Sequence, residues 1–142
     1  MRPLSLGLAA AVIALAPADG RAGGGEVFAP LPPDAADLDG YRWRNRPVLL
    51  FAPSADDPGY AEQRAALQAA RAGLVERDIV VLSDTDPAAD GALRRRLEPA
   101  DFEVLLVGKD GGVKLRRQAP IPPAELFGVI DAMPMRRQEM SE

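Results

Sequence analysis

The stretch RPVLLFAPSADDP, residues 46–58, decides the fold of this chain. Its first half is a continuous apolar run, Pro47 to Ala52, which Pro53 ends, as expected of a short strand buried on both faces. Its second half supplies candidates for a helix N-cap and first turn, namely Ser54, Asp56, Asp57 and Pro58. The stretch therefore predicts a buried strand that leads through a polar loop into a helix.

Similar signals follow along the chain. Apolar residues at helical spacing continue this first helix as far as Leu74. Two more apolar runs, Asp78–Ser83 and Glu103–Val107, predict buried strands with a short helix between them. The turn signal Asp110–Gly111 then predicts a hairpin to an antiparallel strand over residues 113–116. A last helix follows Pro122 and Pro123, with an apolar stripe of Leu126, Phe127, Ile130 and Met133.

The resulting element order, βαβαββα, predicts an α/β domain with a central mixed four-stranded sheet flanked by helices. A helix between two strands implies a right-handed parallel crossover, and this order is the thioredoxin-like topology. We expect the domain to cover residues 38–135, after a Gly- and Pro-rich flexible linker over 19–37. Pro134 should end the last helix and leave residues 136–142 as a tail, either a flexible Met-containing contact segment or a frayed terminus.

The N-terminus has the pattern of a secretory signal peptide. Arg2 precedes an apolar stretch, Leu4 to Leu15, which is too short to span a bilayer. Small residues then surround Ala18, and we predict cleavage after Ala18, so that residues 1–18 are removed. We therefore expect a periplasmic or secreted protein with no membrane span in the mature chain. The alternative is a buried or disordered N-terminal helix.

Composition excludes several classes of function. The chain has 142 residues, with Cys 0 and His 0, a formal net charge of -4 and a sequence pI of about 4.9. Without these two residue types, thiol chemistry, disulfides and most zinc and haem sites are ruled out, and we expect no cofactor. The acidic balance also argues against a nucleic-acid partner.

The polar loop over residues 53–58 is the first candidate site. It follows the first buried strand, where a thioredoxin carries its two redox cysteines, and the corresponding slot falls near Ala55 to Pro58. Ser54, Asp56 and Asp57 would form a polar binding site there, or one of them simply caps the helix. Pro99 lies too early to take the place of the cis-proline of thioredoxins, so a second element of the redox site is also missing.

Two residues before the first buried strand are further binding candidates, Trp43 and Arg46. Trp43 is the one tryptophan of the chain, and it either anchors a partner or packs the edge of the core. Basic side chains elsewhere, including Arg94 to Arg96 and Lys109, form either a patch for an anionic ligand or a solvated face, and consecutive charges on a helix favour the solvated face.

Four segments resemble bacterial members of the domain-of-unknown-function 4174 family: YRWRNRPVLLFAPSADDP, LVERDIVVL, FEVLLVGKDGGVKLR and IDAMPMRRQEM. The resemblance covers nearly all of residues 38–140. It implies a thioredoxin-like fold and export, since related domains occur in secreted animal matrix proteins. The family carries no established activity, so the resemblance implies no catalytic residue.

We therefore expect a redox-inactive, exported thioredoxin-like domain that is not an enzyme. It would act as a binding or interaction module of the bacterial envelope, for an unknown protein partner or small ligand, or as a structural protein of the envelope. The alternative is a cysteine-independent enzyme or a cation-binding site at the 53–58 loop. Two adjacent carboxylates with no third ligand give this alternative little support.

Overall fold

A computed structural model describes residues 26–142. The strands are β1 (Phe28–Pro30), β2 (Arg46–Phe51), β3 (Ile79–Asp84), β4 (Glu103–Val107) and β5 (Val113–Arg117). The helices are α1 (Pro58–Ala69), α2 (Arg71–Glu76), α3 (Ala92–Leu97), α4 (Pro123–Asp131) and α5 (Pro134–Ser141). The predicted signal peptide over 1–18, its cleavage point and the first part of the predicted linker lie outside the described residues.

The strands form one mixed sheet in the order β1-β3-β2-β4-β5. β3 pairs parallel with β1 and β2, whereas β4 pairs antiparallel with β2 and β5. Every residue of β2 and β4 is buried, as their unbroken apolar runs predict. One core cluster, which includes Leu50, Leu67 and Leu106, contacts α1, α2 and α4, and a second cluster around Leu49 and Leu105 contacts α3. The α/β thioredoxin-like class is confirmed.

The sheet has five strands, so the prediction of four is wrong. The additional strand, β1, lies within the predicted linker over residues 19–37, which is therefore not a linker at Phe28–Pro30. Val27 and Leu31 bury their side chains on either side of this strand, and Val81 donates its N–H to the Val27 carbonyl at 2.6 Å. Prolines usually indicate a linker, but a proline is tolerated at the end of an edge strand. The Pro-rich composition therefore led to the wrong prediction here.

The predicted tail over residues 136–142 is also wrong, because α5 covers most of it. Pro134 follows the end of α4 at Asp131, as predicted, but it also begins a new helix, because it occupies the first turn of α5. Arg136 of α5 is buried against the domain. Among residues 26–142, no helix is long and apolar enough to cross a membrane.

Candidate functional site

The sequence-predicted site residues fall at opposite ends of β2. Ser54, Asp56 and Asp57 follow the last residue of the strand, whereas Trp43 and Arg46 lie at its start. We call these the carboxyl end and the amino end of the sheet. A six-residue strand separates the two ends by about 17 Å. The five residues therefore do not form one site.

At the carboxyl end, Asp57 is a helix cap. Its Oδ2 accepts a hydrogen bond of 3.0 Å from the backbone N–H of Tyr60, and Pro58 occupies the first turn of α1. Ser54 and Asp56 are exposed, and the Ser54 hydroxyl accepts from the Asp56 N–H at 3.3 Å. The capping alternative predicted for this loop is confirmed for Asp57. No group of three or more acidic side chains suited to a metal ion exists within the described part of the chain.

Arg94 closes the opposite side of the carboxyl end. Its guanidinium pairs with the Asp84 carboxylate at 3.0 Å and donates to the backbone carbonyls of Ala52 (3.3 Å) and Asp84 (3.1 Å). It also lies 5.4 Å from the centre of the Phe51 ring. The solvated-face interpretation is wrong for Arg94, because its guanidinium pairs with Asp84 and supplies a donor for the Ala52 carbonyl at the end of β2.

Phe102 fills the position before β4 where thioredoxins carry a cis-proline. A Cβ on Gly59 would lie 3.3 Å from the Phe102 ring, so the start of α1 and this ring are in contact. Residues 26–142 contain no cis peptide bond. The loop after β2 is thus packed by a cap, an arginine and an aromatic ring, and a cavity of about 270 Å³ remains beside it, lined by Phe28, Tyr60 and Ser83 among others.

The amino end is organised around Arg46, which is 1% exposed. Its guanidinium makes two hydrogen bonds of 3.2 Å to the two carboxylate oxygens of Glu139 on α5, and a third of 2.9 Å to the Arg77 carbonyl. A buried arginine needs such a partner, because desolvating an unpaired charge is costly. Sequence analysis selected Arg46 but missed Glu139, which it placed in a tail.

Lys109 extends this ion pair into a network. Its ammonium group lies 2.8 Å from both Glu139 and Asp78. Burial acts to raise the pKa of Glu139, but the hydrogen bonds and charges of Lys109 and Arg46 outweigh burial and hold that pKa below its usual value. Glu139 is therefore an ionised acceptor shared by two cations.

A second network fixes the other side of α5. Arg136 pairs with Asp131 at 3.0 Å and with Glu76 at 2.8 Å, and Arg77 also pairs with Asp131 at 2.9 Å. The hydrogen bond from Arg77 is the main reason that the pKa of Asp131 is lowered, and Arg136 adds to the effect. Both networks join α5 to the domain through charged groups.

Trp43 lies at the surface of the amino end. Its side chain is 61% exposed and its backbone has φ 67, in the left-handed region. The backbone N–H of Trp43 donates to the Lys109 carbonyl at 2.7 Å, which links Trp43 to the β4–β5 turn. The alternative that Trp43 packs the core edge is wrong. Two more exposed apolar side chains, Val113 and Met135, flank the same turn.

Comparison with protein families and curated proteins places residues 37–139 within one family model, described as Domain of unknown function (DUF4174). Coiled-coil domain-containing protein 80 of Danio rerio is 31% identical over 134 residues, covering 73% of this chain and 16% of that protein. Sushi repeat-containing protein SRPX of Rattus norvegicus is 31% identical over 123 residues, covering 75% and 26%. The chain thus spans about a sixth to a quarter of the length of these relatives.

Two solved structures with a similar backbone are a thioredoxin and a peroxiredoxin. Reduced desulfothioredoxin from Desulfovibrio vulgaris Hildenborough matches with a TM-score of 0.52 and 16% identity, over 77% of this chain and 100% of that one. Reduced 2-Cys peroxiredoxin from Plasmodium vivax matches with a TM-score of 0.53 and 16% identity, over 72% and 84%. At this identity the likeness shows the fold alone. Since the chain has no cysteine, its own residues cannot carry out thiol–disulfide exchange.

Proposed function

This chain belongs to the DUF4174 family, and on that premise we propose that it is an exported, non-catalytic thioredoxin-like module of the bacterial envelope that binds a protein partner. The observation that carries the proposal is Trp43, an exposed aromatic residue in a strained backbone conformation. Outliers of this kind cluster at functional surfaces, and tryptophan is the residue type most enriched in interface hot spots.

The loop at the carboxyl end of β2 supports a non-catalytic function. In this fold, chemistry depends on thiols at the start of α1, and there the chain has a capping aspartate and exposed Ser54 and Asp56. The geometry offers no nucleophile with an adjacent base among the described residues of this loop. The alternative of a cation site or a cysteine-independent enzyme therefore gains no structural support.

The amino end supplies a surface of the kind that partners use. Trp43, Val113 and Met135 are exposed apolar side chains around one turn, and Lys109 of that turn is held by ion pairs with Asp78 and Glu139. An apolar anchor surrounded by polar groups is the usual anatomy of an interface core and rim. In the curated relatives the matched region is a small part of a longer chain, which also fits a module.

Site-specific photo-crosslinking tests the binding proposal. A benzophenone amino acid is placed at position 43, or at Val75, which is 47% exposed on α2 and serves as the control. We expect one discrete cross-linked protein from position 43 and none from position 75. The identified protein, once purified, should bind the wild-type chain and Val75→Ala, and should bind Trp43→Ala at least about tenfold more weakly. Equal cross-linking at both positions would reject the proposal.

Export is tested separately. Residues 1–25 are fused to an alkaline phosphatase that is active only outside the cytoplasm, and a Leu8→Arg change in the apolar stretch serves as the control. We expect activity from the wild-type fusion only, with the mature protein beginning at Asp19. An inactive wild-type fusion would contradict export while leaving the binding proposal open to its own test.

A further inference from the structure

A cavity of about 270 Å³ opens at the amino end, between the β4–β5 turn and the start of α5. Its wall includes Arg46, Lys109, Asp110, Lys114, Met133 and Met135. Gly108 also lines it, and a Cβ there would lie 2.6 Å from Cε of Lys114. The absence of a side chain at Gly108 therefore lets the stem of Lys114 lie along the wall.

The charge of this wall is opposite to that of the whole chain. Three of its side chains are cationic (Arg46, Lys109 and Lys114) and one is anionic (Asp110), whereas the chain has a net charge of -4. Asp78, Asp110 and Glu139 pair with these cations, so the cavity favours an anion through hydrogen-bond donors that remain unused rather than through an excess of positive charge.

The wall also holds hydrogen-bond donors beyond those that the protein uses. Arg46 Nε is fully buried and has no hydrogen-bond partner, although the other two nitrogens of the guanidinium are bonded. An ammonium group has three N–H donors. Lys109 uses two of them, for Asp78 and Glu139, and Lys114 uses one, for Asp110. A buried donor without an acceptor is rare in a native protein.

The remaining wall is apolar and adaptable. Met133 and Met135 flank Pro134 at the start of α5, and methionine side chains adjust their shape to the group that contacts them. A volume of about 270 Å³ has room for a short alkyl chain with one charged head group.

From this combination we propose that the cavity binds a small amphipathic anion, with a carboxylate or phosphate facing Arg46, Lys109 and Lys114 and a short alkyl chain against the two methionines. The cavity shares Met135 with the proposed docking surface but does not include Trp43, so the Trp43 variants and the cavity variants test different proposals. Anion binding needs neither the protein partner nor export, so either proposal can fail without the other.

The test uses the full chain with ¹³C-labelled methionine methyl groups, titrated with hexanoate, butyl phosphate, inorganic phosphate and hexanol. We expect hexanoate and butyl phosphate to shift the methyl signals of Met133 and Met135 and to leave Met140, which lies outside the cavity wall, unchanged. Inorganic phosphate and neutral hexanol should bind at least about tenfold more weakly. Phosphate lacks the alkyl chain that would contact the methionines, and hexanol lacks the charged head group. Whichever of the two anions binds more tightly identifies the head group.

Two variants complete the test. Lys114→Gln removes one cation from the wall, whereas Arg117→Gln removes one from the same strand outside it. We expect Lys114→Gln to weaken hexanoate binding about tenfold and Arg117→Gln to leave it within about twofold. Equal weakening by both variants, equal binding of hexanol and hexanoate, or shifts confined to Met140 would overturn the proposal.

Discussion

At the scale of single residues, the backbone conformation of Trp43 destabilises the folded protein, and its side chain contributes little stability in compensation. A left-handed backbone costs a non-glycine residue about 1–2 kcal/mol. The side chain is mostly exposed, so little burial offsets that cost. The conformation belongs to a type II turn over Tyr41–Arg44, in which Arg42 has φ -57 and ψ 134 and the Arg44 N–H donates to the Tyr41 carbonyl at 2.9 Å.

Replacing Trp43 should therefore separate backbone strain from side-chain function. We expect Trp43→Gly to be about 1 kcal/mol more stable than Trp43→Ala, because glycine adopts positive φ without strain. Urea unfolding of the two variants measures the difference. A Trp43→Ala protein as stable as Trp43→Gly would show that position 43 relaxes to negative φ, and the strain argument would then be wrong.

Asp57 and Asp56 make a matched pair in which only one residue caps a helix. Asp57→Ala should destabilise the protein by about 1 kcal/mol, the usual value of an N-cap. Asp56→Ala should change stability by less than about 0.5 kcal/mol, because its exposed side chain accepts no hydrogen bond in the structure. Thermal unfolding with and without Ca²⁺ tests whether Asp57 also binds a cation. If Ca²⁺ raises the Tm of the wild type and not that of Asp57→Ala, Asp57 is more than a helix cap.

Which single-residue features the sequence can reveal depends on how local they are. The cap at Asp57 is encoded within four residues, so the pattern predicts it. The ion pair of Arg46 joins residues 93 positions apart, and no local pattern carries that information. The positive φ of Trp43 belongs to a local turn, but tryptophan is not a residue type that marks this turn position in a sequence.

At the scale of elements, α5 is unusual because charge, rather than apolar burial, holds it to the domain. Its one buried residue is Arg136, and its links to the rest of the fold are the ion pairs of Arg136 and Glu139. Docking therefore depends on the ionised state of a few carboxylates.

Neutralising Glu139 should loosen α5. We expect Glu139→Gln to destabilise the protein by about 2 kcal/mol, because the buried Arg46 loses its counter-charge. Glu125→Gln, which removes an exposed carboxylate from the pair with Arg117, should cost less than about 1 kcal/mol. Urea unfolding provides both values. Equal losses would mean that the Arg46 pair is no stronger than a surface pair.

The same carboxylates should make stability fall in acid. The pKa values of Glu139 and Asp131 are lower in the folded protein than their ordinary values of 4.5 and 3.8. The unfolded chain therefore binds more protons in this range, and stability is lost as pH falls below about 4.5 through the lower folded values. Unfolding free energies at pH 7, 5, 4 and 3 should fall more steeply for the wild type than for Glu139→Gln. Parallel curves would exclude Glu139 as a source of the acid effect.

Sequence patterns predicted most of the apolar elements but missed β1 and α5, and the single helix predicted as far as Leu74 is wrong, because Ala70 separates α1 from α2. β2 to β5 follow from hydrophobic runs and a turn signal, with bounds that agree to within one residue. β1 has three residues and depends on its pairing with β3, and α5 depends on distant ion pairs. Neither has a strong local periodicity.

At the scale of the whole molecule, β1 gives the sheet one of its two edges. The family match begins at residue 37 and leaves this strand out, yet Val27 and Leu31 on either side of it are buried in the core. The opposite edge, β5, carries Lys114, Arg116 and Arg117, and charged side chains on an edge strand oppose pairing between molecules.

Removal of β1 should therefore expose the edge of β3. A chain that begins at residue 38 should lose about 3 kcal/mol or more relative to one that begins at residue 26, from the buried side chains of Val27 and Leu31. It should also form aggregates, because β3 lacks the basic residues that protect β5. Unfolding curves and size-exclusion chromatography measure both effects, and a stable monomer from residue 38 would show that β1 is dispensable.

The whole fold was easier to predict than the site. Element order and hydrophobic pattern define the thioredoxin-like topology, because few chain paths satisfy both. The site depends on which side chains meet, and here the sequence candidates separate to opposite ends of β2. Fold alone therefore does not locate function.

The distance in sequence between Arg46 and Glu139 has a consequence for biosynthesis. A ribosome releases the chain from its N-terminus, so Arg46 emerges 93 residues before the carboxylate that neutralises it. Until then, burying Arg46 would leave a charge without a partner in the core. We therefore expect burial of the start of β2 to become favourable late in synthesis, when α5 is released and Glu139 reaches Arg46.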